Sequence, residues 1–440
     1  MTTSPFADLR GLPYYDEPTL HLNLAGRLWA WEFDGWKPES MSWKTGCYIH
    51  TGLSNTRTIF RGPDVKEFFS SIAVNSFETF EIGSMKHSIY TTEEGLITAH
   101  AILQRNDEHE YRYFAGQPWP HYRLVTSSFD VEMDPAPYYL TQVAGPTSLE
   151  TLERATGESL RDIGFLRFRQ AKINGKTVEV ARIGMSGNLA YELRGPLEQG
   201  AEVYDAVFRA GKDLGIQRLG WRTYLVNHVE GGFPQMNWTF TSAANPDPEY
   251  QAFVEGSRFT PPFNVSGSVD PSDLRARLRT PIELRWDRAV KFDHDFIGRA
   301  ALEKEAADPE RTVVTLRWNP EDVIDIYASL FQPGEEYQTI DLPTSPPWSH
   351  GMNVHADHVL KEGRPIGISS GTAYSYYYRQ VMSHGILDVD ETDIGNEVIV
   401  QWGDHGKRIK DVRATVERFP YLKEHRNDQV DTATLAASAQ

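Results

Sequence analysis

The chain has 440 residues, of which 40% are hydrophobic and 24% charged, with a formal net charge of -17 at pH 7. This length predicts two or three domains, and an acidic chain without a basic run argues against a nucleic-acid partner. The single cysteine, Cys47, excludes an internal disulfide framework, and the lack of a signal-peptide pattern or a run of about 18 apolar residues predicts a cytoplasmic protein without a membrane span.

The first two-thirds of the chain mix strands and helices. Strand-like runs separated by turn residues occupy 56–62, 87–92, 95–103 and 110–116. Helical spacing of apolar residues occupies 63–73, 147–157 and 201–215. Thr147, with Glu150 three residues later, predicts a capping box. The pattern predicts an α+β fold with antiparallel strands.

The pattern changes near residue 305. Strand-like runs then dominate, and a long proline-rich loop over 333–350 interrupts them. We therefore predict a separate small β-domain over 306–423, after a larger region over 1–305. The polar, alanine-rich tail over 424–440 is expected to be frayed.

Short catalytic motifs leave the function open. The GISSG segment (367–371) fits the Gly-x-Ser-x-Gly pattern, but strand-like residues follow it, so we predict a β-turn and no nucleophilic role for Ser369. In VHADH, His355 and His358 could share a helix face while Asp357 points elsewhere, and we predict no metal site.

Two longer segments are more informative. In RIGMSGNLAYELRGP (182–196), Glu192 lies within an apolar strand beyond a glycine turn. It is either an edge charge facing solvent or an acceptor for a ligand with N–H donors. GWRTYLVNHVEGGFPQ (220–235) predicts a helix whose polar residues do not share one face, which is typical of capping or solvent-facing positions.

A family resemblance adds to this interpretation. It is carried by VKFDHDFIGR (290–299), TLRWNPED (315–322), IYASLF (326–331) and AYSYYYR (373–379). Across nearly its whole length the chain resembles the glycine-cleavage T-protein (aminomethyltransferase) superfamily, which transfers one-carbon groups to tetrahydrofolate. It is most similar to the tetrahydrofolate-dependent aromatic O-demethylases of the vanillate and syringate type and to sesamin-type methylene transferases. The resemblance implies a multi-domain α+β fold, with two subdomains in 1–305 and a small C-terminal domain like a β-barrel.

The resemblance also implies binding residues. The family segment that ends in a pterin-binding glutamate is matched by GMSGNLAYE, so the glutamate is Glu192, where a carboxylate can accept two hydrogen bonds from ring N–H groups. Tyr191 beside it is a second candidate for binding tetrahydrofolate. The family helix is matched from Gly220 to Glu230. The tyrosine that faces the reacting methoxy group becomes Tyr224, the predicted general acid, and Arg222 either contacts folate or only stabilises the helix.

Departures from the family pattern concern the chemistry and the substrate. The paired aspartates of the T-protein are absent from GLITAH (95–100), so aminomethyl chemistry is not expected. His100 is the second candidate for acid–base catalysis, or else a buried structural histidine. The arginine that holds a substrate carboxylate is replaced by Gln117, and the family histidine by Ser54, which predicts a neutral aromatic ether. The predicted substrate pocket comprises Ser54, Phe114, Gly116, Gln117, Trp119 and Phe233.

The sequence therefore predicts a tetrahydrofolate-dependent enzyme without a metal ion. It would remove a methyl or methylene group from a methoxy or methylenedioxy aromatic, with this small ether and possible further copies of the chain as its partners. The alternative is a non-catalytic, regulatory folate-binding homologue. A dehydrogenase-linked demethylating domain is disfavoured because no dinucleotide fingerprint is present.

Overall fold

The computed structural model describes residues 19–24, 27–51, 56–114, 117–255, 263–344, 352–423 and 426–435. The helices in these ranges are α1 (Trp36–Thr45), α2 (Val65–Ile72), α3 (Trp119–Val125), α4 (Ser148–Thr156), α5 (Gly200–Ala210), α6 (Trp221–Gly231), α7 (Pro248–Val254), α8 (Arg299–Ala307) and α9 (Pro320–Ala328). The strands are β1 (Leu20–Leu24), β2 (Arg27–Glu32), β3 (Cys47–Thr51), β4 (Thr56–Arg61), β5 (Ser84–Thr91), β6 (Ile97–Asp107), β7 (Glu110–Phe114), β8 (Glu132–Ala144), β9 (Phe168–Ile173), β10 (Lys176–Ala181), β11 (Ala190–Pro196), β12 (Ile216–Arg218), β13 (Phe263–Ser266), β14 (Arg311–Trp318), β15 (Met352–Lys361), β16 (Arg364–Ser375), β17 (Gln380–Asp388), β18 (Glu397–Trp402) and β19 (Lys410–Glu417).

The strands and helices that the sequence predicts before residue 220 are present, but one helix start differs. The side-chain hydroxyl of Thr147 donates to the Leu214 carbonyl at 3.3 Å and makes no capping bond to α4, so the predicted capping box is wrong. A contact distant in the sequence has taken the hydroxyl that a cap would use. The glycine stop is confirmed, because Gly157 ends α4 with φ 72°.

A large sheet runs through the first two-thirds of the chain. Its order is β5-β6-β7-β4-β8-β11-β10-β9, with β3 also paired to β8 and β12 to β3. The long strand β8 joins two halves, since its first six residues pair with β4 and its last seven with β11. Each half has its own core, one containing Phe68 of α2 and the other containing Leu152 of α4. A fully buried Phe or Leu side chain contributes about 1.5–3 kcal/mol to stability.

The C-terminal strands form a closed barrel. In the described residues six strands follow the order β15-β16-β17-β14-β19-β18, and β18 returns to β15 through the pairs Val359–Val400 and Leu360–Ile399. The predicted barrel-like domain is confirmed. The domain boundaries at 305 and 423 remain predictions, and β13 from the earlier region adds to β15 in parallel.

The barrel corrects two local predictions. GISSG is part of β16 and not a β-turn, and the Ser369 hydroxyl is buried and donates to the Ser383 hydroxyl at 2.8 Å. VHADH lies in β15, where alternation places His355 and Asp357 on one face and His358 on the other. His355 pairs with Asp357 at 2.9 Å. No group of three or more potential ligands in the described ranges could hold a metal ion.

Residues 426–435 pack against the larger region. The buried guanidinium of Arg182 donates to the carbonyls of Asn427 at 2.7 Å and Val430 at 2.5 Å. The expectation of a frayed tail is therefore wrong for these residues, because polar backbone groups are tied to a buried cation. Among the helices of the described ranges, none is long and apolar enough to cross a membrane.

Candidate active site

A row of polar side chains crosses the middle of the large sheet. His50 of β3 and Glu192 of β11 are both direct cross-strand partners of Gln142 on β8. Partners in such register point to the same face of a sheet. All three side chains are buried, although Glu192 and Gln142 are polar, and α6 packs against them.

The opposite face of the same strands is apolar. Ile49, Val143 and Tyr191 belong to the core beneath α4 and α5. Successive residues of a strand alternate between faces, so Tyr191 points away from Glu192. The prediction that Tyr191 binds the cofactor is therefore wrong, because its ring fills a hydrophobic core.

Glu192 is buried, and within the described residues only one of its two carboxylate oxygens accepts hydrogen bonds. Arg194 donates to its Oε2 atom from Nε at 3.2 Å and from Nη2 at 2.5 Å, and within the described residues no hydrogen bond reaches Oε1. Only 7% of Glu192 is exposed, which rules out the solvent-facing edge charge. Burial lowers the pKa of Arg194, but Glu192 and Glu179 outweigh that effect, so its pKa is raised and it stays charged. The free oxygen is an acceptor available to a ligand.

Tyr224 lies over the other end of the row. Its ring stacks on His50 with centroids 4.0 Å apart and planes at 14°, and the edges of Trp221 and His228 enclose it. Burial raises the pKa of Tyr224 well above its usual value, and nearby Tyr48 and Glu192 raise it further. The phenol therefore keeps its proton and can act as a hydrogen-bond or proton donor.

Backbone carbonyls fix the protons of two neighbouring histidines. His50 Nδ1 lies 2.8 Å from the Leu219 oxygen and His228 Nδ1 lies 3.1 Å from the Tyr224 oxygen, so each Nδ1 carries the hydrogen. Burial lowers the pKa of His50 to about 3 and that of His228 to about 4. Both rings are neutral near pH 7. The Nε2 atom of His50 is consequently a buried acceptor, with no partner among the described residues.

A hydrogen-bond chain ties α6 to the sheet. The Tyr48 hydroxyl donates to Gln142 at 2.5 Å and accepts from the Asn227 amide at 3.2 Å. In the described part of the chain the Asn227 Oδ1 atom is buried without a partner. These contacts hold Tyr224 over the polar row, because Asn227 lies about one turn further along the same helix.

His100 and Phe233 belong to an aromatic cluster next to Tyr224. Phe233 lies 5.9 Å from the His100 ring and 6.2 Å from the His228 ring, between centroids. His100 Nδ1 lies 3.1 Å from His87 Nε2. Burial, with His87 and His228 nearby, lowers the pKa of His100 well below its usual value. A neutral His100 lacks the acidic proton of an imidazolium, whereas the phenol of Tyr224 keeps a hydroxyl proton that it can donate in a hydrogen bond.

The predicted substrate pocket is only partly assembled. Phe114 joins the site, since the Arg194 guanidinium lies 4.1 Å above its ring. Trp119 instead packs 5.5 Å from Tyr122 and 5.6 Å from Tyr250 in the core beneath α2, so that prediction is wrong. The Gln117 carbonyl accepts from the Tyr113 hydroxyl at 2.6 Å. Ser54 and Gly116 lie outside the described residues.

Arg222 and Glu230 hold α6 in place. Arg222 pairs with Glu32 at 2.7 Å and donates to the Leu342 carbonyl at 2.9 Å. It precedes Tyr224 by two residues, which is about 200° around the helix, and it borders a separate cleft of about 590 Å³. The assignment of Arg222 to the cofactor site is therefore wrong. Glu230 is buried, accepts hydrogen bonds from Trp43 at 2.9 Å and Ser375 at 2.6 Å, and forms an ion pair with Lys44 at 2.8 Å.

Several site residues were missed in the sequence. Arg194 could have been found, because it follows Glu192 by two residues and so shares its strand face. His50 is the first residue of the HTGLSN segment, in which only Ser54 was predicted to belong to the site. Gln142 and His228 enter the site only through strand register and helix placement, and no local sequence signal marks them.

Comparison with known proteins agrees with this geometry. The GCVT N-terminal domain matches residues 14–249. The chain belongs to the GCVT family. It is 36% identical over 425 residues to sesamin methylene transferase from Sinomonas sp., covering 93% of each chain, and 26% identical over 426 residues to syringate O-demethylase from Sphingobium sp., covering 91% of each.

The fold agrees as well. Aminomethyltransferase T of the glycine cleavage system from Bartonella henselae superposes with a TM-score of 0.68 at 16% identity, covering 96% of this chain and 98% of that one. The GCVT member described here therefore has the T-protein fold, and the family resemblance predicted from its sequence is confirmed.

Proposed function

We propose that this GCVT protein is a tetrahydrofolate-dependent transferase that removes a methyl or methylene group from an aromatic ether. The observation that carries the proposal is that a buried carboxylate, Glu192, and a buried phenol, Tyr224 of α6, lie over the same face of the sheet. The names of the two full-length relatives, a methylene transferase and an O-demethylase, support the same chemistry.

The acceptor atoms on this face suit a reduced pterin. A pterin presents ring N–H and amino donors, and the face offers Glu192 Oε1, His50 Nε2 and Asn227 Oδ1 as acceptors without partners among the described residues. Unpaired buried acceptors are costly unless a ligand supplies donors. Glu192 would hold the pterin. Bound tetrahydrofolate supplies the nitrogen nucleophile that receives the one-carbon group.

The residues of the chain assist the departure of the aryl oxygen. An aryloxide has a pKa near that of tyrosine, about 10, so a hydrogen bond or proton donated to the ether oxygen lowers the barrier. Tyr224 can make that donation because its phenol remains protonated. His50, Trp221 and His228 enclose the phenol, which fixes its orientation and excludes water.

We propose a substrate that is neutral where vanillate carries its carboxylate. Gln117 takes the position of the family arginine, so a carboxylate buried beside Gln117 would lack the cation that the family supplies there, at a cost of several kcal/mol. Trp119 of the predicted pocket does not contribute to this choice, because it packs in a core. A competition assay between vanillate and a neutral methoxy or methylenedioxy aromatic should favour the neutral compound. A preference for vanillate of about tenfold or more in kcat/KM, or about 1.4 kcal/mol, would contradict this choice.

The transferase itself is tested with a panel of ethers. The protein is incubated with tetrahydrofolate and several methoxy and methylenedioxy aromatics, and the mass of the folate product is measured. A gain of a methyl or a methylene group supports the proposal and identifies the transferred group. Tight folate binding without any gain in mass across the panel would instead support the non-catalytic, regulatory homologue.

A further inference from the structure

Arg57 lies on the same sheet face as Glu192, in the other half of the sheet. On β4 its cross-strand partners are Phe114 of β7 and Ala136 of β8. Side chains of β8 alternate, so Ala136 shares a face with Tyr138 and with Gln142, the partner of Glu192. Phe114 and Tyr138 contact each other on that face with ring centroids 5.4 Å apart. Arg57 therefore borders the candidate active site.

Unlike its neighbours, Arg57 has no partner within the part of the chain that the structure describes. Arg194 pairs with Glu192, and Arg112 pairs with Glu110 at 2.8 Å and Glu179 at 3.6 Å. No hydrogen bond or ion pair joins Arg57 to any described residue, and its Nε atom is buried without an acceptor. A half-buried guanidinium without an anion is unfavourable, and a bound carboxylate would satisfy it in a bidentate geometry.

The two unsatisfied groups are linked by a short series of contacts. Arg194 pairs with Glu192 at 2.5 Å, and its guanidinium lies 4.1 Å above the ring of Phe114, which is the cross-strand partner of Arg57. Among its described residues the site thus offers an acceptor and a cation that both lack a partner. A ligand that carries both N–H donors and a carboxylate would match it.

We propose that Arg57 binds a carboxylate of a ligand held in this site. This inference rests on the proposed function for the identity of the ligands. The carboxylate has two possible sources, the glutamyl group of tetrahydrofolate and an acid group on the aromatic ether.

The test compares acids with their esters in binding experiments. Tetrahydrofolate is paired with its dimethyl ester, and vanillate with its methyl ester, in calorimetry on the full chain. Arg57→Gln should weaken binding of the acid in one pair by at least about tenfold, the scale of a charge-assisted hydrogen bond, and change the ester by less than about twofold. The pair that responds identifies the source.

Arg61→Gln is the matched control, because Arg61 lies on the same strand, is exposed, and pairs with Glu110. It should leave both acids unaffected. Equal effects of Arg57→Gln on acid and ester, or no effect on either acid, would overturn the proposal. If Arg57→Gln does not fold, wild-type protein that binds both acids no more tightly than their esters would overturn it too. Only binding is measured in this test. A failure of one-carbon transfer would therefore refute the proposed function without changing what the binding data say about Arg57.

Discussion

Replacing Glu192 should weaken folate binding through one oxygen atom. Oε2 is occupied by Arg194, whereas Oε1 receives no hydrogen bond within the described residues. A hydrogen bond to a charged acceptor contributes about 1.5–3 kcal/mol. Glu192→Gln keeps the shape and an amide oxygen but removes the charge. We expect a loss of about 2 kcal/mol, or about 30-fold in the Kd for tetrahydrofolate.

The choice of glutamine follows from the buried ion pair. Glu192→Ala would leave Arg194 without its main partner, and breaking a buried pair costs about 3–5 kcal/mol of stability. An alanine variant would therefore confuse misfolding with lost binding. The ion pair that an alanine substitution would remove is short, at 2.5 Å.

Glu179→Gln is the matched control for this experiment. Glu179 also faces Arg194, at 3.6 Å, and accepts from Gln104 at 2.9 Å, but Arg194 bonds Glu192 independently of it. Both variants should lower the unfolding temperature, and only Glu192→Gln should weaken tetrahydrofolate binding by calorimetry. A folded Glu192→Gln protein with wild-type affinity, or equal weakening in both variants, would refute the assignment.

Three further predictions test the surroundings of the site. Tyr224→Phe should lower turnover by at least about 100-fold, the range of acid–base catalysis, and leave the Kd for tetrahydrofolate within about twofold; a near-wild-type rate with saturating folate would move the donor role elsewhere. Glu230→Gln should lower the free energy of unfolding by about 3 kcal/mol, because Lys44 loses its buried partner, while folate affinity measured by calorimetry stays unchanged. Burial lowers the pKa of His50 to about 3 and of His228 to about 4. Below about pH 6.5 the unfolded chain therefore binds more protons than the folded chain, and the free energy of unfolding decreases as the pH is lowered. Each ring should remove about 2 kcal/mol between pH 7.5 and 5, and denaturant titrations that give equal unfolding free energies at both values would contradict this.

The secondary structure around Glu192 and Tyr224 could be predicted from the sequence, because the apolar pattern and the family match of these two segments are local. The roles of the two residues stay proposals. Trp119 and Tyr191 show the limit of that approach, since an aromatic residue near a motif fills a core as readily as a pocket. Which side it faces depends on strand parity relative to helices far away in the chain.

The pairing register between strands that are distant in the chain could not be predicted from the sequence. The row of His50, Gln142 and Glu192 brings together residues up to 142 positions apart. Within the described residues Arg57 lacks a partner, and this likewise depends on distant contacts, because Arg112 pairs with both Glu110 and Glu179. Thr147 shows the same effect at small scale, because a distant carbonyl competes for the hydroxyl that a local rule assigns to a cap.

We propose that Glu192 and Tyr224 form a site where a one-carbon group passes from an aromatic ether to tetrahydrofolate. A single-turnover experiment with an isotope-labelled methoxy or methylenedioxy carbon tests it most directly. We predict that the label appears on folate with the wild-type protein and is lost with Tyr224→Phe at equal folate occupancy. Label that stays on the aromatic compound with the wild-type protein, or that reaches folate equally fast with Tyr224→Phe, would contradict the account.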